Sequence, residues 1–282
     1  MKCFFLTYSI CLLSLFVHAE IVLVGKVTNE LDEPISFASV GFVDTSIGTV
    51  ANVEGEFILF LQEIPPSNSI LRISSMGFEP MEKGLTEVDF GVPLHFQLKE
   101  NTFSLDEVIV KSGALETIEH GNSDEKTAIK TNLAISDQPN MNLGAEIGRK
   151  FRLSDKPNYL SKLKFHLAYN NFDTLLIRVN FYQLESGKLT QIQQAKPIIR
   201  KIVNQKSGWV ILDLEEENQV LRGTVVASIE WIGASKVGNT FALNVSMPAL
   251  FQTHYYKYGA QNRWKVYPNM SSSMILSVQV EN

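Results

Sequence analysis

The densest aromatic group in the chain is His254-Tyr255-Tyr256-Lys257-Tyr258, followed closely by Arg263-Trp264-Lys265-Val266-Tyr267. Flat rings stack on sugar faces, and neighbouring Lys, Arg, Asn and Gln side chains can bond hydroxyls. Tyr255, Tyr256, Tyr258, Trp264 and Tyr267 are therefore the candidate ligand-binding residues, as a glycan platform or a protein hot spot. The competing reading is a hairpin whose rings cover the end of a sheet core. The densest acidic group is Asp213, Glu215, Glu216 and Glu217. Oxygen ligands this close in sequence can hold Ca²⁺, while like charges in such a run more commonly face water on a turn. No other metal site and no cofactor is expected. His95, His120, His166 and His254 are scattered singly, and no Gly-x-Ser-x-Gly elbow or phosphate loop occurs. No catalytic residue is assigned, and the chain is expected not to be an enzyme.

Bulk properties set the address. Lys2 followed by the apolar run Phe4 to Val17 and by Val17-His18-Ala19 is written like an export signal, with the mature chain starting at Glu20. The run is shorter than the roughly 20 apolar residues of a spanning helix, and no later segment is long and apolar enough for one, so no transmembrane helix is expected in the mature chain. Both cysteines, Cys3 and Cys11, lie in that leader, leaving no thiol for a disulfide, a metal or a nucleophile. The formal charge of −5 becomes −6 once Lys2 is gone. Without a basic cluster, nucleic acid and anionic membrane are poor partners. The expected location is the periplasm, the outer membrane or the cell surface.

Three parts must position these residues: a Gly-punctuated β module over 20–99, a polar linker over 100–140, and a longer set of strands over 141–282. In the first, Asp32-Glu33-Pro34 places a φ-locked proline at a hairpin tip. Gly48 and Gly55 are expected at positive φ, and Gly77 at a sharp turn. Phe57, Leu59 and Leu61 alternate with the equally apolar Ile58 and Phe60, which predicts a central strand apolar on both faces. In the linker, 112–142 is poor in large apolar residues, with a short helical piece expected around Glu125 to Asn132. Leu105 to Val110 before it reads as one more strand. In the third part, period-two runs such as Leu163-x-Phe165-x-Leu167-x-Tyr169 and Leu175-x-Ile177-x-Val179-x-Phe181 predict two packed antiparallel sheets, jelly-roll-like, with Trp209 and Trp231 in the core.

The first part resembles the carboxypeptidase-like regulatory module. The residues that carry the resemblance are Gly25-Lys26-Val27, Pro34-Ile35-x-x-Ala38-x-Val40, Gly48-Thr49-x-x-Asn52-x-x-Gly55-x-Phe57 and Ser74-x-x-Gly77-Phe78. The resemblance implies a transthyretin/Ig-like sandwich of seven strands. Leu105-Asp106-Glu107-Val108-Ile109-Val110 resembles the run that follows this module in outer-membrane TonB-dependent receptors, although the chain is too short to be such a receptor. The rest is similar to the second half of short exported bacterial proteins with the same module, through Gly144-Ala145-Glu146-Ile147, Asn171-Phe172-Asp173, Arg178-Val179-Asn180-Phe181-Tyr182, Gly208-Trp209-Val210-x-x-Asp213-Leu214 and Ile229-Glu230-Trp231-Ile232. A zinc peptidase would need a His-x-x-Glu pair, and a transthyretin-like hydrolase a Tyr-Arg-Gly-Ser tail; neither is present. The fold expected is thus all-β, a seven-strand sandwich followed by a larger antiparallel one. The function expected is binding or envelope assembly, through a cell-surface glycan or a protein. The alternatives are an accessory subunit of an outer-membrane complex, docking by the Leu105 to Val110 strand, and a cryptic hydrolase.

Overall fold

A computed structural model describes residues 21–101, 114–136 and 140–281. The expected leader with Cys3 and Cys11, and the strand expected over Leu105 to Val110, lie outside the described residues. Seven short strands form the first sandwich: β1 (Ile21–Asn29), β2 (Ser39–Phe42), β3 (Gly48–Val50), β4 (Glu56–Leu61), β5 (Ile70–Ser74), β6 (Met81–Gly84) and β7 (Leu94–Leu98). One sheet has the order β4-β1-β7, the other β3-β2-β5-β6. β1 runs antiparallel to β4 and parallel to β7. Alternation sends Leu23 and Val27, Val40 and Phe42, Phe57 and Leu59, and Leu71 and Ile73 into a single core. Asn29 and Asn52 build two turns by the same device. The side-chain oxygen of Asn29 accepts from the amides of Leu31 and Glu33, and that of Asn52 from Glu54 and Glu56.

Two expectations for this module need correction. β4 is an edge strand rather than a central one, and β1 occupies the middle. Only one face of β4 therefore meets the core; Ile58 on the other is 53% exposed. Gly55 and Gly77 do have positive φ, but Gly48 does not. Glycine is needed at 48 for space, because a Cβ there would collide with the carbonyl of Ala260 in the second sandwich.

The second sandwich begins inside the stretch expected as linker. β8 (Leu115–Gly121) and β9 (Ile129–Ala134) are followed by β10 (Glu146–Arg152), β11 (Asn158–Asn170), β12 (Thr174–Glu185), β13 (Lys188–Gln191), β14 (Ile198–Val203) and β15 (Gly208–Asp213). Then come β16 (Val220–Leu221), β17 (Thr224–Ala234), β18 (Phe241–Ser246), β19 (Thr253–Lys257), β20 (Trp264–Pro268), β21 (Ser271–Ser272) and β22 (Met274–Glu281). A seven-stranded sheet has the order β13-β12-β17-β10-β19-β20, with β14 also on β12. The eight-stranded sheet facing it has the order β21-β18-β11-β22-β8, with β15 and β16 on β11 and β9 on β18. Inward residues such as Phe165, Leu167, Ile177, Phe181, Trp231 and Leu276 fill the space between them.

β8 reads as polar because it is an edge strand with most of its side chains in water, yet it pairs with β22 from Leu115 to Gly121. The expected helical piece is instead irregular chain followed by β9, whose Leu133 and Ala134 are buried in the core. Backbone pairing with β18 and that burial outweigh a local composition rich in Lys, Thr and Glu. Trp231 is in the core as expected, whereas Trp209 lies half-buried on the outer side of β15 and donates from Nε1 to Glu125 at 2.8 Å.

The β19–β20 loop is seated in the first sandwich. The Asp44 amide donates to the Gln261 carbonyl at 3.0 Å. Gln261 Nε2 donates to the Ser39 carbonyl and to Ser74 Oγ, and Arg263 pairs with Asp44 at 2.6 Å. On the other side of the contact, the Asn140 side-chain amide bonds both the N–H and the C=O of Phe60, as a neighbouring strand would. No helix among the described residues is long and apolar enough to cross a membrane.

Candidate functional site

The pleat divides the five candidate aromatic residues between two faces. Tyr256 points into the core of the second sandwich, where its hydroxyl donates to the Asn132 carbonyl at 2.8 Å and accepts from Asn142 at 3.0 Å. Tyr258 and Tyr267 pack on that same side, Tyr258 edge-on to Tyr256 with ring centres 4.2 Å apart. Tyr255 points the other way, buried against Tyr182 and Val226. Trp264 packs edge-on to Tyr182, with 5.4 Å between ring centres. The five rings do not form one surface: Tyr255 and Trp264 meet edge-on on the outer face, 6.2 Å between ring centres, and Trp264 lines an open cleft. A strand alternates its side chains, so rings adjacent in sequence part company.

The acidic run does not converge either. Asp213 accepts from the Glu215 amide, Glu215 from Ser161 and Gln279, and Glu217 pairs with Arg200 at 2.7 Å. Glu215, Glu216 and Glu217 form one short 3₁₀ turn. Among the described residues, no three His, Cys, Asp or Glu side chains gather to hold a metal ion. The histidines stay apart: His95 bonds Thr28, His166 bonds Asn244, and His254 bonds Ser272.

A different constellation crosses the outer face of the seven-stranded sheet. Strand register places Arg178 of β12 opposite Glu230 of β17, Glu230 opposite Glu146 of β10, Glu146 opposite Lys257 of β19, and Lys257 opposite Trp264 of β20. The row therefore reads cation, anion, anion, cation, indole. Arg178 grips Glu230 with two parallel bonds, Nε to Oε2 at 2.9 Å and Nη2 to Oε1 at 2.8 Å. Lys257 Nζ lies 2.5 Å from Glu146 Oε2. Two carboxylates directly opposite each other would repel. Asn180 bridges them, donating to Glu146 and to Glu230 at 2.9 Å each, and Tyr182 and Ser228 donate to Glu146 as well.

The electrostatics follow from this packing. Burial favours the neutral form of Glu230, but the charges of Arg178 and Lys257 and the bonds from Arg178 and Asn180 outweigh it, so its pKa lies below the ordinary carboxylate value. Burial likewise disfavours charged Lys257, and Glu146 and Glu230 outweigh it, so that amine is held above its usual value. Burial and the two carboxylates raise the Tyr182 phenol well above its usual value, which keeps it a neutral donor. The row is charge-balanced, and its members mostly bond one another.

Arg178 also leaves its own sheet. Nη1 donates to the Phe37 carbonyl at 3.0 Å and Nη2 to Ser39 Oγ at 3.2 Å, both in the first sandwich. Phe37 adopts φ 58°, a conformation that costs a bulky residue energy. Arg178, Glu230 and Lys257, with Asn180 and Tyr182, floor a cleft of about 470 Å³ between the sandwiches, with Ser74 and Arg72 on one wall and Gln191, Gln193, Asn262 and Trp264 on the other.

Of these residues, sequence inspection singled out only Trp264 as a site candidate. The signal was there in part: Arg178, Asn180 and Tyr182 alternate with buried Val179 and Phe181, and Glu230 and Glu146 likewise stand between apolar neighbours. A wet face and a buried polar face look alike in one strand, and only register brings the strands together.

Residues 23–110, a stretch that takes in nearly all of the first sandwich, match the family model described as CarboxypepD_reg-like domain. No curated protein matches the chain. Among solved structures, the chain is similar to the cysteine protease and lectin-like domains of Cwp84, a surface-layer-associated protein of Clostridium difficile. That match has TM-score 0.35 and 9% identity, over 49% of this chain and 33% of the other. It is also similar to the infectious bursal disease virus Gx strain structure (TM-score 0.25, 9% identity, 93% of this chain and 55% of that one). The VP2 subviral particle of infectious bursal disease virus gives TM-score 0.24 at 10% identity, over 92% and 63%. The chain thus spans from one third to less than two thirds of the length of the structures it matches.

Proposed function

We propose that the chain is an exported, non-enzymatic binding protein of the cell envelope that holds an uncharged, hydroxyl-rich ligand, the end of a glycan, between its two sandwiches. The observation that supports this best is the make-up of the inter-sandwich cleft. Its floor is charge-balanced and bonded internally, so it offers no net charge to an ionic ligand. On the walls, Arg72 pairs with Glu82 at 3.6 Å and Asp44 with Arg263 at 2.6 Å, and the wall opposite Arg72 offers the Trp264 indole and the neutral amides of Gln191, Gln193 and Asn262. An aromatic face beside several amides is the chemistry that recognises sugars. A volume of about 470 Å³ falls within the roughly 300–1,000 Å³ of ligand pockets. Glu230, ionised and gripped by Arg178, is a poor proton donor, which favours binding over acid catalysis.

The test is a panel of neutral oligosaccharides titrated into the whole chain. Binding is expected, with loss on Trp264→Ala and retention on Tyr256→Phe, whose ring is in the core. Binding that survives Trp264→Ala in a folded variant retires the site.

A second reading, an accessory subunit of an outer-membrane protein complex, draws on the first sandwich. Val24 and Ile58 pair across β1 and β4 on the outer face, 39% and 53% exposed. Edge strand β4 and an apolar groove of about 620 Å³ lie beside them. A membrane barrel that co-purifies with the wild type and not with Ile58→Lys supports this reading against the first.

A further inference from the structure

The connection between β18 and β19 forms an exposed apolar knuckle. Met247, Leu250 and Phe251 are 59%, 67% and 78% exposed, and Phe251 is the most exposed large apolar side chain among the described residues. Side chains of this size gain most by leaving water, so three together on one short loop need a reason. The backbone holds them in place. The Ala249 amide donates to the Asn269 carbonyl at 2.8 Å, the Asn269 amide to the Gln252 carbonyl at 3.0 Å, and the Gln252 amide to the Ala249 carbonyl at 3.1 Å. These bonds join residues 247–252 to the end of β20, where Pro268 and Asn269 are exposed as well. Phe251 takes φ 62°, in the left-handed region. That conformation costs a bulky residue energy, and Gly or Asn adopts it more easily. Strain on a side chain turned to water points to a use outside the fold.

The knuckle is also free of charge. No Asp, Glu, Lys or Arg occurs from Val237 to Tyr256 or from Val266 to Val280. Asp124, bonded by the Ser246 hydroxyl, stands at its base, and Arg149, which reaches Gln252, is buried. Two kinds of partner accept a convex apolar tip, a pocket in another protein and a lipid bilayer. Protein hot spots favour Trp, Tyr and Arg, and neither 247–252 nor 268–270 contains one. A bilayer needs no shaped pocket, and it penalises charges above all else. Met, Pro, Leu and Phe without a charge meet that demand. With no cation at the tip and an acid at its base, nothing there draws the knuckle to anionic lipid.

We propose that this knuckle inserts into the interface of a zwitterionic lipid bilayer, with Leu250 and Phe251 as the inserted side chains and Met247 beside them. The surface belongs to the second sandwich alone and does not depend on the inter-sandwich cleft.

The experiment reads the tip itself, in the whole chain mixed with protein-free phosphatidylcholine vesicles. In Phe251→Trp, the added indole is expected to be quenched by brominated phosphatidylcholine. In Val237→Trp, at the other end of β18 and also exposed, it is expected not to be. Adding Leu250→Asn to Phe251→Trp should raise the lipid concentration for half-quenching about tenfold or more. Sodium chloride and added phosphatidylglycerol should leave the quenching unchanged. Phe251→Asn is expected to keep or raise Tm, because Asn accepts the left-handed conformation. No quenching at position 251 overturns the proposal and favours a protein pocket. Quenching that Leu250→Asn leaves intact, or that needs phosphatidylglycerol and is lost in salt, overturns it too. So does a fall in Tm in Phe251→Asn, which would show that the ring serves the fold.

Discussion

Arg178 serves two partners at once, neutralising Glu230 within its sheet and reaching the Phe37 carbonyl and Ser39 of the other sandwich. Removing it leaves a buried carboxylate without its cation. Arg178→Met is therefore expected to destabilise the fold by about 3–5 kcal/mol, and Arg178→Met/Glu230→Met by clearly less, because the uncompensated charge is gone. Urea unfolding of the two variants checks this; equal losses would show that the pair itself carries the energy. His254 makes a second prediction at this scale. Burial lowers its pKa from 6.5 to about 4 in the folded chain. The unfolded chain accepts a proton below about pH 6.5 that the folded chain refuses until about pH 4. The neutral-form advantage is fully present above the unfolded value and is lost as pH falls between the two, about 3 kcal/mol in all. The urea midpoint should drop across that range, and His254→Gln should flatten the drop.

β8 shows how an element can look dispensable and not be. Its residues are polar, yet it covers β22 from Ile275 to Glu281. Deleting residues 114–121 is expected to bare that edge and to cause self-association, visible by light scattering, because an open strand edge recruits others. A flexible strap would be removable without that effect. The charged row is likewise a property of elements. Residues 146, 178, 230, 257 and 264 belong to five strands, and a shift of one residue in any of them would turn its side chain to the other face. Trp264 reached the cleft while Tyr256 entered the core for the same reason, since the two rings sit on opposite faces of one hairpin.

At the scale of the molecule, the two sandwiches meet through the Arg178 bridge, the β19–β20 loop and the Asn140 side chain. Gly48 lies under the Ala260 carbonyl, so Gly48→Val is expected to force that contact open. Calorimetry should show one cooperative unfolding transition in the wild type and two in Gly48→Val; two transitions in both would mean that the contact contributes little. The all-β class and the two cores were legible in the sequence, because alternation and turn chemistry act between residues a few positions apart. The positive-φ turn at Gly55 and the Phe165 and Ile177 strands could be placed from such local patterns alone. The edge position of β4, the recruitment of β8 and β9, and the meeting of Glu146, Arg178, Glu230 and Lys257 could not. Each depends on which strand lies beside which and in what register, and that is settled by core packing and backbone pairing between residues tens of positions apart.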